Sequence, residues 1–466
     1  MKKPEILAPA GNLEKLRTAF MYGADAAYMG MKSVSMRVRG STLDIDEIEE
    51  ALRLSRELGK KLYLTMNIHA HENKMNFVGQ EIERLKELKE KNLVPDGLLI
   101  SDPGMMMEVQ KECPWVDIHL STQANTLNAA SCEFWAKLGV TRIVFGREIT
   151  LREVKKIREV LDEKGIDVEL EAFVHGAMCM AYSGRCLLSN FMSNRDANEG
   201  MCAHSCRWNY KMHDKKGNAN GVNEVDEHAC SCKSKDGTKR DCCKSSVALA
   251  TDNDEDDGRL KIYLEEDQRK GEFIPVYEDE EGTSIMSAKD MCMAQHMADV
   301  MDSGIDSAKI EGRHKTIFYA AIASRIYRQA TDLAAEGKPL TDELIDLIES
   351  INTRGYFTGF WYGKPGAEGQ KYTGDRGDYA KDYCFAGVFR KVDGDMVHME
   401  VKNTLKKGDR LDIITPTKNI PLVLEDFQNA ANGEAIEVAH PGQKFTIILK
   451  VPEEVQEGFV VRKHLN

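Results

Sequence analysis

Four cysteines carry the most specific chemical signal in the chain: Cys179, Cys186, Cys202 and Cys206, spaced C-x6-C-x15-C-x3-C. Thiolates are soft ligands, and four of them on one loop can converge on a single metal centre. Zinc accepts four cysteines tetrahedrally, and an iron–sulfur cluster is held by the same ligand type. Zinc ribbons favour two short knuckles. Here only the second pair is short, so the spacing leans toward iron–sulfur and leaves zinc open. Gly176, Gly184 and Gly200 supply the tight turns that a ligand loop needs. Cys230, Cys232, Cys242 and Cys243 follow as a C-x-C pair and an adjacent C-C pair. That spacing is awkward for one closed tetrahedron, and these four read as unliganded thiols.

A second set of polar residues stands where short apolar runs end. Arg37, Asn67, Gln123 and Arg147 are the candidates for binding substrate. Guanidinium groups clamp carboxylates bidentately, so a small dicarboxylate suits this set. Glu171, His175, Glu311 and Arg313 are the catalytic candidates, since carboxylates and imidazole move protons near neutrality. Glu311 and Arg313 are the leading pair, as opposite charges flanking one strand end. His175 adjoins the cysteine loop, where a proton-shuttle role fits. Some of these residues have a plainer reading. Arg147 and Glu148 also suit the start of a helix. Glu171, two residues before Phe173, also suits a buried, paired carboxylate pointing inward.

The elements that must position these residues are legible. Apolar runs occur at Glu5–Pro9, Ala26–Gly30, Leu62–Asn67, Gly97–Ser101, Ile118–Ser121, Arg142–Gly146 and Val168–His175. Fully buried parallel strands have this character. Helical spacing lies between them, as in Asp44–Leu58, with acids in its first turns, Arg near its end and Lys just beyond it. Ser307–Glu311 is an eighth strand, followed by a helix over His314–Gly337. Eight strand–helix units predict a TIM-like (β/α)8 barrel, with chemistry at the C-terminal ends of its strands. No GxGxxG follows the first strand, which argues against an open dinucleotide-binding sheet.

The barrel is expected over 1–337, interrupted between strands seven and eight by an insertion over 176–286. The insertion holds the cysteines and an acidic run, Thr251–Glu281, with 13 acidic and 4 basic residues. The acidic run reads as a solvated loop. A helix and glycine-rich connector cover 338–379. Short alternating strands over 380–466 predict a small C-terminal all-β domain of barrel type.

The run from Glu171 to Ser189 resembles the signature of peptidase family U32, the collagenase-like proteins. Glu5-Ile-Leu-Ala-Pro-Ala-Gly11 resembles that family's first strand, Lys309-Ile-Glu311-Gly-Arg313 its last, and Arg354-Gly-Tyr-Phe-Thr-Gly-Phe360 the motif after the barrel. Asn194–Asn198 and Cys206-Arg-Trp208 look closest to the family's tRNA-hydroxylating branch. That resemblance implies oxygen-independent, prephenate-dependent conversion of the tRNA wobble uridine to 5-hydroxyuridine. It implies a 4Fe-4S cluster on Cys179, Cys186, Cys202 and Cys206, prephenate as co-substrate and the tRNA anticodon loop as partner. A peptidase and a ribosomal RNA hydroxylase are the alternatives. Neither HExxH nor G-x-S-x-G occurs in the chain, which weighs against hydrolysis.

No apolar stretch is long enough to span a membrane, and the N-terminus lacks an apolar signal core, so a cytoplasmic address is expected. The net charge of −13 at first argues against nucleic acid. Thr251–Glu281 contributes −9 of it, however. Lys402, Lys406, Lys407 and Arg410 group in the β-domain, where a local basic face can meet phosphate.

Overall fold

The computed structural model describes residues 2–36, 42–179, 181–182, 186, 189, 202, 261–265, 273–279, 282–284, 288–351, 355–365, 382–442, 445–452 and 454–465. Eight parallel strands close into the expected barrel. They are β1 (Glu5–Pro9), β2 (Ala26–Met31), β3 (Lys61–Met66), β4 (Gly97–Ile100), β5 (Ile118–Leu120), β6 (Val140–Val144), β7 (Glu169–Ala177) and β8 (Ser307–Ile310). Each pairs with the next, and β8 pairs with both β7 and β1, which closes the ring. Every residue of β2, β4 and β8 is buried, as expected of parallel strands covered on both faces, Lys309 of β8 included.

Short polar residues start the outer helices: α1 (Leu13–Met21), α2 (Ile45–Glu57), α4 (Pro103–Glu112), α5 (Ala129–Lys137) and α6 (Leu151–Glu163). Asn12, Asp44, Asp102, Asn128 and Thr150 each accept a first-turn backbone N–H. Helix α3 (Met75–Glu90) completes this set. The opposite face of the barrel has its own device. Asp25, Asp96 and Asp306, each just before a strand, accept the backbone N–H of Ile6, Leu62 and Leu170 on the neighbouring strand.

After β7 the chain departs from the simple repeat. His204–Ala288 with Pro365–Gly377 forms a second compact unit. Its described part is a three-stranded antiparallel sheet, with Phe273–Asp279 between Lys261–Glu265 and Gly282–Ser284. The acidic run is therefore not a loop throughout. Its apolar residues Ile262, Leu264, Ile274 and Val276 alternate as a hairpin requires, and the charge around them obscured that pattern.

Asp290–Cys292 then pairs antiparallel with the end of β7, Cys292 opposite His175, and parallel with Tyr356–Phe357. This pair of short strands extends the barrel wall beside β7 and had no counterpart in the sequence reading. The short helix α7 (Met297–Asp302) follows, then β8 and the long helix α8 (Ile317–Ala335), capped by Thr316. Helix α9 (Asp342–Glu349) comes next.

The C-terminal strands are β9 (Tyr383–Asp393), β10 (Met396–Val401), β11 (Arg410–Ile414), β12 (Asn419–Val423), β13 (Phe427–Asn429), β14 (Thr446–Lys450) and β15 (Val460–His464). They form one antiparallel sheet in the order β12-β11-β15-β9-β10-β14-β13, with Ala435–Ile436 at its edge. This sheet belongs to the same compact unit as the barrel. Tyr22, ending α1, donates to Ile414 O at 2.5 Å and accepts from Val460 N at 3.1 Å. Arg325 of α8 donates to Asn419 Oδ1 at 2.6 Å, and Phe318 stacks on Phe385. Among the described residues no helix is long and apolar enough to cross a membrane.

Candidate active site at the barrel mouth

The barrel interior is charged rather than apolar. Glu171 is fully buried between Lys309 Nζ at 2.6 Å and Arg142 Nη1 at 3.1 Å. Arg142 also reaches Glu5 at 2.7 Å, and Tyr63 donates to Glu5 at 2.8 Å. Two acids thus face two bases in a low-dielectric core, the condition under which buried charges are tolerated. Burial pushes the Lys309 pKa down, against the pull of Glu171. Burial pushes Glu5 up, but Arg142, Tyr63 and Lys61 hold it below the usual carboxylate value. Glu171 sits three residues into β7 and well below the strand end, so the inward, paired reading describes its surroundings. Lys309 and Arg142 were missed as interior residues. Their signal was a lone cation within an otherwise apolar strand.

Above this layer, the C-terminal ends of β2 to β5 carry a hydroxyl and amide network. Arg313 is buried and donates to Ser35 Oγ at 2.9 Å and Thr65 Oγ1 at 2.8 Å, as well as to Met36 O. Asn67 Oδ1 accepts from Met36 N at 3.0 Å. Gln123 donates to Asn67 O at 2.8 Å and accepts from Ser101 and Ser121. The structure thus brings Arg313, Asn67 and Gln123 into one network, in which Arg313 and Asn67 hold the Ser35–Met36 turn and Gln123 holds the Asn67 backbone. Ser35, Thr65, Ser101 and Ser121 complete the network and gave no motif to read. Arg37 lies outside the described residues.

Arg147 occupies the other side of the mouth. Its Nη2 lies 3.0 Å from Glu311 Oε2, and its guanidinium stands 4.0 Å over the Phe173 ring. Both side chains are nearly buried, and Arg147 Nε has no hydrogen-bond partner among the described residues. Glu311 thus pairs with Arg147 and not with Arg313 two residues on. The helix after β6 is capped by Thr150 with Glu153, so Arg147 is not a cap residue. Gly176 makes the packing possible: its φ is +107°, and a Cβ there would come 2.8 Å from Glu311 O.

His175 is buried under three tyrosine rings, Tyr319, Tyr327 and Tyr356, with centroids 5.4 to 5.8 Å away. Burial lowers its pKa to about 4, opposed by Asp290 and aided by Lys315, so the ring is neutral near pH 7. Nδ1 lies 3.2 Å from the Tyr327 hydroxyl. Tyr356 belongs to the motif after the barrel, but Tyr319 and Tyr327 were not flagged by the sequence reading, since each lies far from the cysteine motif in the chain.

Cys179 is exposed, and Cys186 and Cys202 are partly exposed. Cys113 and Cys132, by contrast, are buried core residues. The exposed thiols suit a soft metal in type. Among the described residues, however, no three His, Cys, Asp or Glu side chains converge as a metal-holding group. Cys206 and the four cysteines from Cys230 to Cys243 lie outside the described residues. In the β-domain, Lys402 pairs with Glu400 and Lys407 with Asp426, which tempers the basic face expected there.

The barrel and the β-domain each match a family model. Residues 11–371 match the model of peptidase family U32, and 381–462 match the U32 C-terminal domain. The chain belongs to peptidase family U32. It is 37% identical over 464 residues to tRNA hydroxylation protein P of Escherichia coli, covering 99% of this chain and 96% of that one. It is 36% identical to tRNA hydroxylation protein P of Haemophilus influenzae, over 98% of this chain and 95% of the other. A collagenase of Porphyromonas gingivalis is 26% identical over 96% of this chain and 94% of its own length.

Proposed function

We propose that this chain is an enzyme that hydroxylates tRNA, converting the wobble uridine to 5-hydroxyuridine with prephenate as co-substrate. The observation that carries this reading is the end-to-end similarity to tRNA hydroxylation protein P, which extends through barrel and β-domain alike. The geometry at the mouth agrees. A base must leave its stack to be modified, and anticodon loops already display unstacked bases. Arg147 offers a partly unengaged, preoriented guanidinium for a carboxylate, whereas the donors of Arg313 hold the Ser35–Met36 loop. Arg147 and Glu311 are accordingly assigned to substrate binding, Asn67 and Gln123 to shaping the pocket, and Glu171 to charge balance in the core. A 4Fe-4S cluster on Cys179, Cys186, Cys202 and Cys206 belongs to the same proposal, supported by the spacing and by the exposure of Cys179.

The test is removal of the gene followed by mass spectrometry of digested nucleosides, with tRNA and ribosomal RNA analysed separately. The proposal expects 5-hydroxyuridine-derived nucleosides to vanish from tRNA alone. Their persistence refutes it, and loss from ribosomal RNA instead moves the target. Iron and sulfide counts on anaerobically purified protein test the cluster, and zinc in their place refutes it.

The collagenase name motivates a protease reading. It is disfavoured by His175, whose Nδ1 faces a tyrosine hydroxyl, whereas a hydrolytic triad orients that nitrogen with a carboxylate or amide. Gelatin digestion by the purified chain would reinstate it.

A further inference from the structure

A tyrosine hydroxyl has one proton to donate and two lone pairs to accept with. Around Tyr327 Oη the structure places Val174 O at 2.7 Å, Met293 N at 3.0 Å, His175 Nδ1 at 3.2 Å and Cys292 Sγ at 3.7 Å. A carbonyl oxygen can only accept. Two oxygens at 2.7 Å need a proton between them, so the tyrosine proton lies on the line to Val174 O. The thiol at 3.7 Å is too distant to compete for it. The backbone N–H of Met293 can only donate, and it is shared between Val174 O at 2.9 Å and Tyr327 Oη. What remains toward His175 is a tyrosine lone pair. A lone pair on Nδ1 would face it without a proton, in a buried site where such a mismatch is costly. Nδ1 must therefore carry the ring proton.

We infer that Tyr327 is a positioning residue that holds His175 as the Nδ1–H tautomer, so that Nε2 presents a bare lone pair as a proton acceptor at the end of β7. This rests on the reading of His175 as a proton carrier in the proposed hydroxylation. Among the described residues the ring's one hydrogen bond is that of Nδ1 with Tyr327. Tyr319 and Tyr356 pack against the same ring, so the tautomer is fixed together with its orientation. A phenol differs from the carboxylate that commonly orients a catalytic histidine, because it adds no negative charge to stabilise an imidazolium. The ring therefore rests neutral and holds an accepted proton only briefly, as a relay requires.

The test reads ring nitrogens by NMR in the full-length chain labelled with nitrogen-15 histidine. The His175 signals are identified by their loss in His175→Gln or His175→Asn, either of which suffices. The expected spectrum shows a protonated Nδ1 and an unprotonated Nε2. A protonated Nε2 with bare Nδ1 overturns the inference. Tyr327→Phe should release the ring to the other tautomer and slow single-turnover hydroxylation by about ten- to a hundredfold, the scale of loss when the partner orienting a metal-bound histidine is removed. An unchanged tautomer and rate in that variant also overturn it. The spectrum is taken without substrate. A wrong tautomer thus sinks this inference alone, and loss of tRNA as target sinks only the reading beneath it.

Discussion

The charged barrel core makes a quantitative prediction that also separates the two readings of Glu171. Lys309→Met keeps the length of the side chain and removes its charge. Lys309 and Glu171 are 4% and 0% exposed and 2.6 Å apart. Removing one member of a buried pair costs about 3–5 kcal/mol, because the other is left as an uncompensated buried charge. Arg142 remains 3.1 Å from Glu171 and takes up part of that charge, which places the loss near the lower end, about 3 kcal/mol. Glu171→Gln should cost about as much, since it leaves Lys309 without its anion. The double variant has neither stranded charge and should lose clearly less than the sum. Guanidinium unfolding followed by the fluorescence of Trp115, Trp135 and Trp361, all within the barrel unit, measures each variant. Single losses that add to within about 0.5 kcal/mol refute the argument, as independent sites behave that way. A Glu171→Gln protein that is fully folded yet inactive would move Glu171 from the core into the chemistry.

Further outcomes follow from the mouth and the interface. Arg147→Lys keeps a charge but loses the planar guanidinium stacked on Phe173; KM for the anionic co-substrate should rise about thirtyfold, equivalent to ~2 kcal/mol, and an unchanged KM removes Arg147 from binding. The His175 pKa of about 4 lies below the ordinary value of roughly 6.5, so the unfolded chain takes up the proton first as pH falls. The stability His175 contributes is therefore full above pH ~6.5 and is lost progressively toward pH ~4, by about 3 kcal/mol in all. Unfolding midpoints across that range should fall less steeply in His175→Gln than in the wild type, and parallel profiles contradict the assignment. Tyr22→Phe strands Ile414 O and Val460 N at the seam between barrel and β-domain, and should lower stability by about 1–3 kcal/mol with no change in KM.

The barrel was legible because buried parallel strands have a local signature, and β1 and β8 fall within one residue of their predicted ends. The strand Asp290–Cys292 was not, since three residues with one acid carry no periodicity and depend on a partner at the end of β7. Long-range pairing also hid the mouth. Glu311 and Arg313 look like a pair in sequence, but Gly312, at a φ of +146°, sends them to different sides: Glu311 to Arg147, and Arg313 to Ser35 and Thr65. Serines and threonines are too common to mark a site until a fold assembles them. Tyr327 could not be tied to His175 from the sequence, being 152 residues away.

The closure of the barrel by β8 has a consequence for how the chain is made. Strand β1 leaves the ribosome long before β8, yet one of its partners is Ser307–Ile310. Strand β7 ends at Ala177, and roughly 130 residues must then be translated before β8 appears, about 6 to 26 seconds at ~5–20 residues per second. Throughout that interval seven strands exist with β1 and β7 as open edges, the arrangement most prone to pairing with another chain. The β-domain, which docks on α1 and α8, arrives later still. A nascent chain of this length depends on shelter for its edges, and its yield in a cell should respond to translation speed across the insertion.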